Sequence, residues 1–419
     1  MFGGAFTEIH ALGVHRSMRL QVIFGSSVMM IMGASLVYPV LPVIDEALGI
    51  GEGRIGLILA AFTLPAIFLS PVGGLLIDLR GRKQVLVASL LLYGVAGSAI
   101  ALVDSLEALL ALRFLQGTAY AGIMPLVVVL IGDTFTKEQE TTAQGLKVVL
   151  DRMALLVLPA AAGALAAIAW QAPFVLYGLA VPLGLAAARW MCEPAIEKHA
   201  HAPTYVKAVF RASMRVRSLT IFSMSSMRFF IEMSFFIYVP FYAVEELGVA
   251  VERGGLLFTV FAVGSIATAG MVGAITRRFE RFSMLIAAFT VQGLCLAAAS
   301  VAGSVWVLGV VMLVFGLANG LISPAQKSLL TQSVTGPLRG GFVAADRISQ
   351  NTAKSMAPLI AGTLVVATSI EAMFQVMAVV AIGWAVVVSV LRMTGSLRAP
   401  APKAAPAADS TVAPVGEKL

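Results

Sequence analysis

Gly74-Leu75-Leu76-Ile77-Asp78-Leu79-Arg80-Gly81-Arg82-Lys83 closes one apolar run, 54–78, and opens the next, 84–103. Each run has about the twenty residues a helix needs to cross a hydrocarbon core of roughly 30 Å. A connection this short, rich in charge between two apolar runs, reads as a tight turn at a membrane surface. Working outward, the same alternation recurs from Leu20 to Leu391 and predicts twelve spans. They lie at 20–44, 54–78, 84–103, 106–131, 142–168, 172–191, 218–243, 253–275, 282–302, 305–330, 342–368 and 371–391.

Composition agrees. Of 419 residues, 59% are hydrophobic and only 12% are charged, against about 25% charged in a soluble domain. Lipid must therefore solvate much of the surface. In lipid each backbone donor and acceptor has to be satisfied within its own segment, so helices are the reading; the short alternating strands of a barrel are not seen. The expected fold class is all-α, with twelve transmembrane helices in two pseudo-symmetric six-helix bundles.

Met1 to Met18 shows no short apolar core followed by a cleavage site, so the first helix is expected to be retained. Placing the N-terminus in the cytoplasm puts Arg80, Arg82, Lys83, Lys137, Lys198, Lys207, Arg211, Arg215, Arg217, Arg277, Arg278, Arg281 and Arg339 on cytoplasmic connections. Arg54 and Arg253 alone fall outside. By the positive-inside rule both termini are expected in the cytoplasm of an inner-membrane protein. The net charge of +7 is spread over membrane-flanking loops without an aromatic-interleaved stripe, so no nucleic-acid partner is expected. Cys192 and Cys295 lack metal-ligand spacing, and neither a metal nor a cofactor is expected.

The chain also repeats itself. A shift of 199 residues lays Leu48-Gly49 on Leu247-Gly248, Arg54 on Arg253, Gly56 on Gly255, Phe62 on Phe261 and Gly74 on Gly273. The same shift lays Arg82 on Arg281, Gly117 on Gly316, Pro125 on Pro324, Pro159 on Pro358 and Gly163 on Gly362. Six helices separate equivalent points, so the repeats are parallel, related by an axis along the membrane normal. The expected organisation is an N-tail 1–19, bundles 20–192 and 218–392, a cytoplasmic linker 193–217 and a disordered tail 393–419. The linker is read as a solvated connection, or as an amphipathic surface helix around Tyr205 to Val216.

In the opening stretch, Gly74 lets two helices approach closely, Asp78 can cap a neighbouring helix, and Gly81 permits a tight turn. Arg82 can then pair with Asp133 at the end of the fourth span. A glycine, an aspartate four on, then a glycine and two basic residues resemble the cytoplasmic signature of the major facilitator superfamily. The resemblance implies a conformational latch of Gly74, Asp78, Gly81, Arg82, Lys83 and Asp133 that stabilises the outward-facing state; a solvated basic turn is the plainer alternative. The second copy has Arg277 at the position of Asp78, so one working latch is expected. Arg113-Phe114-Leu115-Gln116-Gly117 is similar to the family's second signature, in which the arginine is associated with proton coupling. Bonding to backbone carbonyls is an equally good role for Arg113. The fifth span departs from the drug-antiporter pattern: Leu158-Pro159-Ala160-Ala161-Ala162-Gly163 lacks its glycine pairs.

Charges within spans are functional candidates, since each is costly in lipid unless paired. Arg228 and Glu232 lie four apart on the seventh span, and Asp151-Arg152 on the fifth. Asp346, Gln350 and Lys354 form a stripe on the eleventh. The proton-coupling candidates are Arg113, Asp151, Glu232 and Asp346, with static pairs that fix helix register as the alternative. The cavity candidates are Gln116, Arg228, Phe236, Asn319, Gln326, Gln350 and Lys354. Together with the resemblance, they predict a monomeric secondary transporter in the drug and metabolite:proton antiporter-like branch. It would move a small-molecule substrate by alternating access, with protons and membrane lipid as its other partners. The favoured task is proton-coupled efflux; uptake of a small metabolite is the alternative, and a membrane sensor or enzyme on this scaffold a remote one. No phosphate-cradling Gly-rich loop is present, so direct ATP use is not expected.

Overall fold

In the computed structural model, the described residues are 17–135, 137–193, 203–272, 275, 278–333 and 339–397. Side chains are described for these except at 70–79, 137, 138, 141, 203–206, 208, 252, 331, 332, 339 and 340. Residues 1–16 and 398–419 of the tails and Arg277 lie outside the described residues, as does the side chain of Asp78.

Twelve long helices run through the described residues. Helix α1 (Met18–Ser35) continues through a 3-10 turn (Tyr38–Val40) into Leu41–Leu48 as one span. It is followed by α2 (Glu52–Arg80), α3 (Arg82–Ala99), α4 (Leu106–Thr134) and α5 (Lys137–Ala166). Helix α6 (Ala180–Trp190) is entered through the short pieces Ala172–Val175 and Leu176–Leu179. The second set is α7 (Val216–Phe241), α8 (Val251–Ala269), α9 (Arg281–Ala299), α10 (Val305–Gln332), α11 (Arg339–Ala367) and α12 (Ile370–Met393). Ten are long and apolar enough to cross a membrane. The other two are α8, whose apolar stretch is shorter, and α11, whose polar stripe of Asp346, Arg347, Gln350 and Lys354 dilutes its hydropathy.

The linker carries a helix, Pro203–Ser213, that touches α7 and α11. It overlaps the stretch Tyr205 to Val216 read as an amphipathic helix. Large apolar side chains face outward at Phe68, Leu102, Ile168, Trp306 and Val379, where lipid covers them in place of water.

The 199-residue shift is visible as repeated contacts. Gly49 and Gly248 both adopt positive φ, 58° and 61°. Ser105 and Ser304 both cap the next helix, accepting from Ala108 N and Val307 N at 3.4 Å. A side chain at Gly117 would strike the carbonyl of Phe62, and one at Gly316 the carbonyl of Phe261. Equivalent helices pair alike: α2 with α4 and α8 with α10, α3 with α6 and α9 with α12. These glycines let backbones meet where lipid supplies no hydrophobic drive between helices, leaving close packing to hold them.

The bundles meet along two seams, α2 against α11 and α5 against α8. On these seams Gly56 packs on the Pro358 carbonyl and Gly255 on the Pro159 carbonyl. The two contacts are one contact, exchanged by the repeat.

Candidate functional site

A cavity of about 470 Å³ lies where the two bundles face each other, lined from α1, α2, α4, α5, α7, α8, α10 and α11. That volume is within the range that encloses one small organic molecule. Its walls divide by chemistry. Met30, Ile31, Phe62, Leu155, Met233 and Phe236 supply apolar surface, and Asp151, Arg152, Arg228, Glu232, Lys327 and Lys354 supply charge.

Each acid in the wall is held from two sides. Asp151 receives the Lys147 ammonium at 2.6 Å, one turn earlier on α5, and a hydrogen bond from the Ser27 hydroxyl of α1. Glu232 lies 3.4 Å from the Arg228 guanidinium, one turn earlier on α7, and accepts from Asn319 Nδ2 of α10 at 2.7 Å. Spacing of four places both members of each pair on one helix face. The cations are held less by acids. Arg152 Nη1 donates to Ser265 Oγ across the α5–α8 seam at 2.8 Å, and the Lys354 ammonium sits 4.1 Å from the centre of the Phe229 ring.

One end of the cavity is sealed. Tyr38 meets Phe236 edge-on and stacks on Phe258. Beyond them the Tyr238 hydroxyl donates to the Glu52 carbonyl at 2.9 Å, and Gly53 packs on Gly362 and Val366. This closed face carries Asp45, Glu46, Glu52, Asp104, Glu107, Glu245, Glu246 and Glu371 against Arg54 and Arg253. At the other, basic face Val148 is 46% exposed, Lys327 is exposed, and open space surrounds Gly145. Between mid-membrane and the acidic face the seams close on backbone contacts at Gly53, Gly56 and Gly255, whereas α5 has open space at Gly145 toward the basic face.

Of the cavity candidates, Arg228, Phe236 and Lys354 line the space, as do the acids Asp151 and Glu232. Asn319, Gln326, Gln350 and Gln116 do not. Asn319 stands behind Glu232, and Gln350 donates to Asp346 at 2.6 Å. Asp346 itself is buried away from the cavity. Gln326 is buried in α10. Arg113 and Gln116 are both fully buried and bonded to each other at 2.7 Å. Arg113 also donates to the Gly33 carbonyl of α1 at 3.1 Å and lies among the rings of Phe62, Phe174 and Tyr177. It pins four helices of the first bundle together without an acid partner among the described residues.

At the basic face Arg82 pairs with Asp133, and Gly81 adopts φ +90°. Glu193, which sequence reasoning missed, accepts from the backbone N–H groups of Arg82 at 2.5 Å and Lys83 at 3.0 Å and caps α3. Also missed were Lys147 and Lys327. An i, i+4 partner before Asp151 and a lysine inside the tenth span were the available signals.

A family profile described as Major Facilitator Superfamily matches residues 23–345 and, again, 221–418. The chain is 34% identical over 122 residues to the bacillibactin exporter of Bacillus subtilis, covering 28% of this chain and 30% of that protein. It is 29% identical over 157 residues to the quinolone resistance protein NorA of Staphylococcus aureus, covering 38% and 40%. The aligned part therefore spans less than half of each curated relative. Among solved structures, a bacterial homologue of the human lysosomal transporter Spinster, in an inward-facing and unoccupied conformation, superposes with a TM-score of 0.71. It is 15% identical, over 91% of this chain and 97% of that one. The nucleoside transporter NupG gives 0.72 at 14% identity, over 90% and 99%. At such identities the likeness establishes the fold. With the family profile spanning most of its length, the chain is a multi-pass membrane protein belonging to the Major Facilitator Superfamily.

Proposed function

We infer that this protein is a secondary transporter that moves a small organic solute by alternating access, driven by the proton gradient, in the direction of efflux. The reading rests on one observation: Asp151 and Glu232 line a cavity lined by eight helices of the two bundles, and that cavity is closed toward one face by Tyr38, Phe236 and Phe258. An acid in such a position can take up a proton from one side and release it to the other when the bundles rock. The efflux direction is carried over from the bacillibactin exporter and NorA.

The charge difference between the faces supports a cytoplasmic basic face and cytoplasmic termini. The cavity of this structure then faces inward, ready to load. Proton uptake at Asp151 would release Lys147, and at Glu232 would release Arg228, so protonation at either site loosens an ion pair at the cavity wall. Arg82, Asp133 and Glu193 contact one another within one bundle, so in this reading the latch to the other bundle is made in the outward-facing state through Asp78.

Purified protein in vesicles with an imposed pH gradient tests the reading. Gradient-driven flux of a panel of fluorescent organic compounds is expected, falling at least about tenfold in Glu232→Gln or Asp151→Asn. Unchanged flux in both variants would overturn proton coupling through these acids. A reporter fused after Glu193 is expected to give a cytoplasmic signal.

A further inference from the structure

The cavity wall contains more positive than negative charge. Among the described residues, Arg152, Arg228 and Lys354 face it with Asp151 and Glu232 as the acids of its lining, and Lys327 stands at its rim. Both acids are already engaged, Asp151 by Lys147 and Glu232 by Arg228. Widening the count to Asp346 does not restore balance, because its neighbour in the chain, Arg347, and the Asp151 partner Lys147 are added with it. Arg152 is met by a serine hydroxyl and Lys354 by an aromatic ring. These groups stabilise a cation only weakly compared with a carboxylate.

A half-desolvated cationic wall penalises a positively charged ligand and favours a negative one, because Coulomb energies grow as water is excluded. Resting on the transport reading above, we propose that the substrate is an amphipathic organic anion. Its carboxylate, sulfonate or phosphate group sits between Arg152 of α5 and Lys354 of α11, and its apolar body lies on Met30, Ile31, Phe62, Met233 and Phe236. The two cations belong to different bundles. An anion bound to both ties the bundles together through the ligand and gives loading a direct hold on the rocking motion. Substrates of the opposite sign, the lipophilic cations, are turned away by the same wall.

The full-length protein in lipid nanodiscs tests this with two dyes of similar size and opposite charge, fluorescein as the organic anion and ethidium as the cation. Saturable fluorescein binding by anisotropy is expected, weakened roughly tenfold in Lys354→Gln and in Arg152→Gln, a loss typical of one charged contact. Lys354→Arg should retain most of the binding, and thermal unfolding of each variant shows that it is folded. Ethidium bound more tightly than fluorescein would overturn the proposal, as would fluorescein binding indifferent to both glutamine variants or no fluorescein binding at all. Vesicle flux separates the two ideas: gradient-driven ethidium flux without fluorescein flux sinks the anion assignment and leaves transport standing.

Discussion

The two bundles share their packing and differ in their charge. Gly117 and Gly316, Gly56 and Gly255, and Ser105 and Ser304 each make the same contact in both halves. The buried charges do not recur. At the 199-residue shift Arg113 corresponds to Met312, Arg228 to Met29, Glu232 to Gly33 and Lys354 to Leu155. Helices α5 and α11 show the passage from one regime to the other. The Lys147–Asp151 ion pair of α5 falls on the Asp346–Gln350 hydrogen bond of α11, with identical spacing and altered charge. Likewise Arg152, bonded to Ser265, falls on Asn351, bonded to the Ala66 carbonyl. A duplicated scaffold needs matching surfaces at its seams, so contacts between backbones are preserved. A solute path needs a defined ligand preference, and identical halves would supply only a symmetric wall.

The strongest way to break this comparison is at the shared contacts. Gly117→Leu and Gly316→Leu each drive a side chain into a backbone carbonyl, and both are expected to abolish recovery of folded protein, measured by gel filtration in detergent. Loss in one half only would show that the scaffolds are not equivalent.

Charge is predicted to behave in the opposite way. Asp151→Gln gives α5 the residue that α11 carries and leaves Lys147 without its carboxylate, at a cost of about 3–5 kcal/mol when the pair is well buried and less at this partly open wall. Gradient-driven flux should fall about tenfold or more. Gln350→Ala, at the equivalent position, should reduce it by less than about twofold, as expected of a residue outside the cavity. Equal losses would place the working charge in both halves.

A smaller effect is expected at the acidic face. Gly56→Ala with Gly255→Ala adds a methyl group at both seams, where overpacking costs about 1–3 kcal/mol. The closed face is then destabilised, and labelling of Tyr38→Cys by a membrane-impermeant maleimide should rise several-fold in the double variant. The smallest effect is at the caps: Ser105→Ala and Ser304→Ala should each cost about 1 kcal/mol, equally, as read by thermal unfolding.

Much of this was legible in the chain. Apolar runs separated by short charged turns gave all twelve spans, α11 among them despite its polar stripe. The pairs Arg228–Glu232 and Arg82–Asp133 were also readable, the first from i, i+4 spacing and the second from the turn it closes. The amides were harder. Asn319, Gln326, Gln350 and Gln116 all avoid lipid, as their cost in hydrocarbon requires, but a residue can avoid lipid by entering the bundle interior as well as the cavity. Sequence does not separate those two destinations.

The sequence by itself determined that the chain lives in lipid, that it is helical, that it is duplicated, and that its basic loops fall on alternate connections. Those properties follow from hydropathy, backbone hydrogen bonding and charge counted along the chain. The tertiary structure alone decided which charges face one another across the bundle interface and which are withdrawn behind it. It also decided that one face is shut and that the cavity wall has cations in surplus. Helix rotation and the angle between bundles set these facts, and both arise from contacts between residues far apart in the chain.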